Sequence, residues 1–248
     1  MTTAPADPHQ FDERYRDAHT AHGLPSATPW DVGGPQPAVL RLAALGAIGG
    51  EVLDQGTGPG YHAIHLAARG HSVTGTDVSP AALQRARRNA EDAGVEVRFE
   101  LADARTLTGV EDRFDTVLDC AFYHTFAADD EPQLDYARVL HRVTRPGARL
   151  FLFTFGQHTI NGFAMPRALS AQHFDRLLEP TGWRIDYLGP TSYRVHFSVA
   201  AFEQMAQRNP ALADRIGPIL ERFRIIEPWL ADGIAEAPFW EVHATRLD

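Results

Sequence analysis

The fold is decided by the stretch Val52-Leu53-Asp54-Gln55-Gly56-Thr57-Gly58-Pro59-Gly60, in which a short apolar strand runs into three glycines on alternate positions. Glycine suits a turn where the backbone approaches a ligand too closely for any Cβ atom. A helix predicted over about 61–69 would aim its free backbone N–H groups and its positive dipole end back into that turn. The stretch therefore predicts a site for a nucleotide-like ligand with a polar tail, although such a turn also occurs for purely structural reasons.

The spacing of these glycines differs from the dinucleotide fingerprint G-x-G-x-x-G. That fingerprint would need its third glycine at position 61, which is Tyr61, whereas this chain has Gly60. An acid, Asp54, stands two residues before the first glycine, so the pattern is D-x-G-x-G-x-G. Tyr61 and the acids at positions 54 and 103 disfavour a nicotinamide-dependent oxidoreductase.

The composition is that of an ordinary globular enzyme. With 248 residues the chain is long enough to bury one substantial core, and 44% of its residues are hydrophobic and 22% charged. The formal net charge of -9 argues against a nucleic-acid partner, because phosphate binding needs clustered Lys and Arg. Small-molecule partners are favoured instead. The single cysteine, Cys120, excludes an internal disulfide.

The chain carries no sign of a membrane segment. Its first ten residues are polar and rich in Pro and Ala, and no apolar run of about 18 residues follows them. We therefore expect no signal peptide, no membrane anchor and a cytoplasmic location. The composition leaves the choice between a monomer and a homodimer open.

Beyond the glycine turn, strands alternate with helices at lengths typical of a parallel sheet with helices on both faces. The alternation in 95–101 places the third strand near a sheet edge, and the apolar fifth strand is expected to be central. Strands are predicted over 72–76, 95–101, 114–121, 149–155, 183–188 and 239–246, in addition to the one that enters the glycine turn. Helices are predicted over 11–19, 37–45, 61–69, 80–93, 132–143 and 170–178, with a turn at 145–147 and a helical stretch over 199–232 interrupted at Pro210 and Pro218.

Acidic residues follow the strands at the edge where ligands bind in such sheets. Asp77 ends the second strand about 20 residues past the glycines, where an acid accepts hydrogen bonds from ribose hydroxyls. A solvated turn or a helix N-cap is the alternative reading of Asp77. Asp103-Ala104 follows the third strand, and Asp119-Cys120 closes the fourth.

The glycine pattern and the acids at 54, 77 and 103 resemble the class I S-adenosylmethionine-dependent methyltransferases. Thr28-Pro29-Trp30-Asp31 and the segment 70–77 are similar to the thiopurine, thiol and halide methyltransferase branch and to related bacterial small-molecule methyltransferases. The resemblance covers roughly 11–155 and the final strand. It implies an α/β, Rossmann-like, seven-stranded, mostly parallel sheet with an antiparallel last strand. Gln55 departs from the family pattern, and the helical stretch after Phe197 has no match in it.

The resemblance also implies a domain plan and a cofactor. We expect an N-terminal helical cap segment over 1–45 and a methyltransferase domain over 46–248, with a helical insertion at about 198–236. The implied cofactor is S-adenosyl-L-methionine, with the acid after the third strand near its adenine amino group. The implied cofactor-binding residues are Tyr15, Trp30, Asp54, Gly56, Gly58, Gly60, Asp77, Val78, Asp103, Ala104, Asp119 and Cys120.

Methyl transfer from a sulfonium is an in-line displacement to a small organic acceptor, and it requires no metal. Aromatic faces can stabilise the sulfonium, and the candidates by position are Tyr15, Trp30, Phe122 and Tyr123. A hydroxyl or ammonium nucleophile must also lose a proton, for which His124 is the candidate base, so His124 and Tyr123 are the predicted catalytic residues. His124 is equally compatible with a structural role, and a thiolate acceptor would need little or no base. An alternative function keeps the cofactor site but catalyses a reaction other than methylation, or only senses the cofactor.

Overall fold

The computed structural model describes residues 8–17, 28–126, 130–165, 168–208 and 210–248. Strands and helices alternate along the chain as far as β5, except that β4 follows β3 with no helix between them. The strands are β1 Glu51–Gln55, β2 Ser72–Asp77, β3 Arg98–Leu101, β4 Phe114–Cys120, β5 Thr144–Phe155, β6 Trp183–His196 and β7 Ile234–Arg246. The helices are α1 Pro8–Asp17, α2 Pro37–Ala44, α3 Tyr61–Ala67, α4 Pro80–Asp92, α5 Asp130–Val143, α6 Ala171–Leu178, α7 Val199–Arg208 and α8 Pro210–Ile226.

The seven strands form one sheet in the order β3-β2-β1-β4-β5-β7-β6. β1 pairs in parallel with β2 on one side and with β4 on the other, and β4 pairs in parallel with β5. β7 runs antiparallel to both β5 and β6. The predicted mostly parallel sheet with an antiparallel last strand is therefore confirmed. β3 lies at an edge and β5 inside the sheet, as the sequence pattern indicates.

Helix α4 shows how local sequence sets an element. Ser79 precedes its first turn and accepts a hydrogen bond from the backbone N–H of Ala82 at 3.1 Å, and Pro80 occupies the first helical position. The helix ends before Gly94, whose φ is 64°. The buried face of α4 consists of small and apolar side chains, which are Ala82, Leu83, Ala86 and Ala90.

Each face of the sheet carries its own apolar layer, because successive side chains of a strand point to opposite faces. In β5, Phe151 and Phe153 join the layer formed with α2, α3, α7 and α8. Leu150 and Leu152 join the layer formed with α5 and α6. Helices therefore cover both faces, as predicted.

Several strand boundaries differ from the prediction: β3 begins at Arg98 rather than at position 95, and β7 begins at Ile234 rather than at position 239. β5 begins at Thr144, so the expected turn at 145–147 is part of the strand, and the pairing of β4 with β5 shifts register between Phe114 and Thr116. β6 continues to His196 rather than ending at position 188. It is longer because β7 pairs with it along its whole length, and Pro190 is tolerated because β6 is an edge strand.

Helices α7 and α8 lie between β6 and β7 in the chain. The predicted break near Pro210 coincides with the start of α8, but the predicted break at Pro218 is wrong, because α8 continues through it. Proline inside a helix removes one backbone hydrogen bond without necessarily ending the helix. The last two residues of the helix predicted over 11–19 lie outside the described residues. The division into a cap segment over 1–45 and a domain over 46–248 stays a prediction.

Within the described ranges, no helix combines the length and the apolar character that crossing a membrane requires.

Candidate functional site

The turn after β1 has the backbone conformation that its glycines predict. Gly56, Gly58 and Gly60 have φ values of 68°, 53° and 81°, in the left-handed region that residues with a side chain rarely adopt. A Cβ atom on Gly56 would lie 2.6 Å from the ring of Phe122, and one on Gly58 would lie 2.6 Å from the hydroxyl of Tyr15. Both the conformation and the lack of space therefore require glycine in this turn.

Asp77 connects the end of β2 to that turn. Its Oδ2 accepts a hydrogen bond from the backbone N–H of Gly58 at 3.0 Å, and its Oδ1 accepts one from Ser79 N at 2.9 Å. Burial raises the pKa of Asp77, and these backbone donors oppose that rise because they favour the charged form. The carboxylate is thus held in one orientation at the boundary of the cleft described next.

A cleft lies at the carboxyl ends of β1 to β4, where an open α/β sheet binds its ligands. It consists of two adjoining cavities, both partly open to solvent. Their shared residues are Phe11, Asp77, Val78, Phe122 and Thr125. The first cavity adds Gln55, Ala102, Asp103, Ala104, Arg105 and Phe126, and the second adds Tyr15, Trp30, Gly56, Cys120, Ala121 and His124.

Asp103 stands in the wall of the first cavity beside a cation. Arg105 donates to both carboxylate oxygens, from Nε to Oδ1 at 3.0 Å and from Nη2 to Oδ2 at 2.6 Å. Hydrogen bonding from Arg105 lowers the pKa of Asp103, so the carboxylate is ionised at neutral pH.

The N-terminal segment covers the second cavity with aromatic side chains. Trp30 donates a hydrogen bond from Nε1 to the hydroxyl of Tyr15 at 2.8 Å, and Phe11 packs beside the same indole with 6.3 Å between ring centroids. Asp31 pairs with Arg85 of α4 at 2.5 Å. Trp30 is therefore part of the cleft cover rather than a side chain exposed to solvent.

Two polar residues at the end of β1 have different surroundings. Asp54 is buried beside the turn and accepts a hydrogen bond from Thr57 Oγ1 at 2.6 Å; burial raises the pKa of Asp54, while the nearby His62 opposes that rise. Gln55, the departure from the family pattern, accepts a hydrogen bond from Thr76 Oγ1 at 3.0 Å and lines the first cavity. Asp54 thus stabilises the turn from the protein interior, whereas Gln55 lines the cleft.

Asp119 organises the loop that follows β4. Its Oδ1 accepts hydrogen bonds from Phe122 N at 3.1 Å and Tyr123 N at 3.0 Å, and its Oδ2 accepts one from the Tyr136 hydroxyl at 2.8 Å. Burial raises the pKa of Asp119 to about 7. Both carboxylate oxygens are directed at protein groups, so Asp119 reaches the cleft only through the loop that it holds.

Tyr123 does not lie in the wall of either cavity, in contrast to its predicted place beside His124 at the reaction site. Its side chain is fully buried, and its hydroxyl lies 3.3 Å from Nε2 of His173 on α6. The loop after β4 forms a short 3₁₀ turn over Tyr123–Thr125, which directs consecutive side chains to different sides. Tyr123 consequently packs into the layer of α5 and α6, whereas His124 lines the second cavity.

The structure brings together most of the residues predicted from the sequence. Those in the cleft wall are Tyr15, Trp30, Gly56, Asp77, Val78, Asp103, Ala104, Cys120 and His124. Gly58 and Gly60 shape the turn, and Asp54, Asp119 and Tyr123 lie behind the wall. Their roles toward a cofactor stay predictions.

Several cleft residues were missed by the sequence argument. Gln55 ends a predicted strand and Ala102 directly follows one, so their places at strand ends are the signal that points to them. Thr125 and Phe126 lie just beyond the fourth strand end. Phe11 carried no signal, because only the packing of α1 brings it to the cleft.

Among the described residues, no group of three or more His, Cys, Asp or Glu side chains is arranged to hold a metal ion.

Comparisons with known proteins agree with this geometry. A family model described as a methyltransferase domain matches residues 52–147, which include the glycine turn, all but the first residue of β1, and β2, β3 and β4. The 2-heptyl-1-hydroxyquinolin-4(1H)-one methyltransferase of Mycobacteroides abscessus is 35% identical over 146 residues, which is 58% of this chain and 63% of that enzyme. The alignment thus spans less than two thirds of the length of that relative.

Two further proteins extend the likeness. An uncharacterised methyltransferase of Schizosaccharomyces pombe is 30% identical over 119 residues, covering 48% of this chain and 80% of that protein. A solved structure concerned with conversion of a disulfide bond into a thioacetal group during echinomycin biosynthesis is 30% identical, with a TM-score of 0.74 over 97% of this chain and 92% of that chain. The strand order, the glycine turn and these relatives together show the family: the chain belongs to the class I S-adenosylmethionine-dependent methyltransferases.

Proposed function

We propose that this protein transfers a methyl group from S-adenosyl-L-methionine to a small organic acceptor. The observation that carries the proposal is the cleft at the carboxyl ends of β1 to β4, where the side-chain-free turn at Gly56 adjoins the carboxylate of Asp77. A nucleoside with a polar tail needs both features, one for close approach of the backbone and one for its ribose hydroxyls. The residues present therefore fit this cofactor.

Each part of the cleft has a role in the proposal. Asp77 would accept hydrogen bonds from the ribose hydroxyls, and Asp103 would meet the adenine amino group in the first cavity. The backbone around Gly56 and Cys120 would hold the methionine end. Burial raises the pKa of the Cys120 thiol, so the thiol stays protonated at neutral pH. Cys120 therefore forms part of the cavity wall and does not act as a nucleophile.

The acceptor would bind in the second cavity, next to that methionine end. When bound, the cofactor supplies an electrophilic methyl group on a positively charged sulfur. The aromatic side chains of Tyr15, Trp30 and Phe122 would stabilise this charge through their ring faces and exclude water. The protein's main task is to hold the nucleophile in line, for which rigid aromatic walls are suited.

Calorimetric titration with S-adenosylhomocysteine tests the cofactor assignment. We expect binding to the wild-type protein and at least about tenfold weaker binding to Asp77→Asn, because an uncharged amide accepts hydrogen bonds from hydroxyls less strongly than a carboxylate. Asp175→Asn, on the exposed side of α6, is the matched control and is expected to bind normally. Folded wild-type protein that shows no binding contradicts the proposal.

Incubation with candidate acceptors distinguishes methyl transfer from the alternative function. Accumulation of the demethylated cofactor supports transfer, whereas binding without turnover of any acceptor favours a sensor or a non-methylating enzyme. The proposal includes a small-molecule acceptor as the physiological partner and a cytoplasmic location.

A further inference from the structure

His124 is held in the second cavity by aromatic packing. Its ring stacks on Phe155 with 3.6 Å between ring centroids and 18° between the ring planes, and it meets the edge of Phe239 at 5.9 Å. Phe155 is the last residue of β5 and pairs with Phe239 of β7. This packing keeps the ring in one plane, so its two nitrogens have separate and stable surroundings.

Thr154 determines which of these nitrogens carries the hydrogen. Its hydroxyl is fully buried in β5 and lies 3.3 Å from His124 Nδ1, which is its one hydrogen-bond partner within the described part of the chain. A buried hydroxyl hydrogen requires an acceptor, so the Thr154 hydroxyl donates and Nδ1 accepts. Burial lowers the pKa of His124 to about 3, so the ring is neutral at physiological pH. A neutral imidazole that accepts at Nδ1 carries its hydrogen on Nε2.

The other ring nitrogen is open to the cleft. His124 lines the second cavity, and its Nε2 has no hydrogen-bond partner among the described residues. The buried polar atoms that lack a partner in this part of the chain do not include Nε2, so this nitrogen is accessible rather than buried. An N–H donor that no protein group uses is therefore available on the residue that lines the proposed acceptor cavity. A general base would have to present a lone pair at this position, and a nitrogen that already carries a hydrogen has none.

We propose that His124 is a hydrogen-bond donor to the methyl acceptor, and that the acceptors are flat aromatic compounds whose nucleophile arrives already ionised, such as a thiolate or a phenolate. This inference rests on the proposed methyl transfer. The lone pair of the anion forms the new bond to the methyl carbon while the carbon–sulfur electron pair returns to sulfur, so no proton has to be removed. The aromatic walls Trp30 and Phe122 offer the flat apolar surface that such a compound needs.

The hydrogen position can be read directly by nitrogen NMR of the whole protein labelled in histidine, with the His124 signals identified by their loss in His124→Gln. We expect the neutral form with hydrogen on Nε2 at about neutral pH. Thr154→Val removes the hydroxyl donor and is expected to give a mixture of both neutral forms, and Thr154→Ser is expected to restore the wild-type signals. Hydrogen on Nδ1 of the wild-type ring would overturn the inference.

Binding of defined probes tests the acceptor class. The protein is first saturated with S-adenosylhomocysteine and then titrated with para-nitrothiophenolate or with neutral para-nitrotoluene, which has nearly the same shape. We expect the anion to bind at least about tenfold more tightly than the toluene, because a donor to a charged group contributes more than an apolar contact. His124→Phe is expected to lose about this factor for the anion alone, whereas His124→Gln keeps an N–H donor and most of the affinity.

Equal binding of the two probes, no binding of either, or equal losses in the Gln and Phe variants would overturn the inference. Failure of S-adenosylhomocysteine to bind would instead contradict the proposed methyl transfer, and the NMR result would still decide the hydrogen position on His124.

Discussion

Asp119 is a buried carboxylate whose importance lies in the loop that it holds. Its contacts with the backbone N–H groups of Phe122 and Tyr123 fix the turn that brings Phe122 and His124 to the cleft. Ala121 at the start of this loop has a φ of 65°, a conformation that a residue with a side chain adopts only when its surroundings impose it. Asp119 and its partner Tyr136 supply that constraint from within the core.

The ionisation of Asp119 predicts a pH dependence of stability. Because burial raises its pKa from 3.8 to about 7 in the folded protein, its contribution is fully present below pH 3.8 and is lost as the pH rises through 7. The amide side chain of the Asp119→Asn variant does not titrate. Between pH 3.8 and 7 we therefore expect the free energy of unfolding of the wild type, relative to that of this variant, to fall by on the order of 4 kcal/mol. Urea denaturation at several pH values measures the difference.

Asp175→Asn is the control for this prediction, since its side chain is exposed on α6 and the substitution is expected to change the free energy of unfolding by less than about 0.5 kcal/mol. A constant difference between Asp119→Asn and the wild type across the interval would contradict the raised pKa of Asp119 in the folded protein.

Helix α1 acts at the scale of an element, because it joins the cover of the cleft to α4. Asp12 accepts hydrogen bonds at Oδ1 from the Ser79 hydroxyl at 2.8 Å and from Ala81 N at 3.0 Å, at the N-terminus of α4. A carboxylate at that end of a helix is favoured by the free N–H groups and by the helix dipole. The same helix carries Phe11 and Tyr15 into the cleft.

Loosening α1 is therefore expected to weaken cofactor binding without unfolding the domain. Asp12→Ala removes a capping interaction of about 1 kcal/mol, so we expect about fivefold weaker binding of S-adenosylhomocysteine, mainly through faster dissociation. Stopped-flow fluorescence of Trp30 measures the dissociation rate. Arg16→Ala is the matched control: its exposed ion pair with Asp12 at 2.8 Å contributes little, and less than a twofold change is expected. Equal dissociation rates for Asp12→Ala and the wild type would show that α1 does not retain the ligand.

At the scale of the whole molecule, β5 connects the apolar layers on the two faces of the sheet. Phe151 is fully buried in the layer formed with α2, α3, α7 and α8, and its neighbours Leu150 and Leu152 are fully buried on the other face. We expect Phe151→Ala to lower the free energy of unfolding by about 3–5 kcal/mol, because it leaves a cavity that the packed layer cannot fill.

Chemical denaturation followed by far-ultraviolet circular dichroism measures this loss. Leu45→Ala serves as the control, because Leu45 is 74% exposed and its truncation is expected to cost less than about 0.5 kcal/mol. Similar losses for both variants would contradict the central position of β5.

Much of the fold and part of the site follow from local sequence. The strand and helix alternation, the edge position of β3 and the glycine turn depend on residue type and spacing over a few positions, and these predictions are confirmed. Asp77 and Asp103 reach the cleft because parallel strands end at one edge of the sheet, which makes strand-end residues neighbours whatever the details of packing. The length of β6, in contrast, depends on pairing with β7, which starts 38 residues after β6 ends in the chain.

The sequence by itself determined the sheet class, the turn that needs glycine and the acids that border the cleft, because each depends on local conformation or on strand ends. Only the tertiary structure decided that Tyr123 turns to His173, that Asp119 supports a loop and that Phe11 enters the cleft. It also decided the hydrogen-bond state of His124, through a threonine 30 positions away. These outcomes depend on which buried groups meet across distant segments, and no pattern of neighbouring residues encodes that.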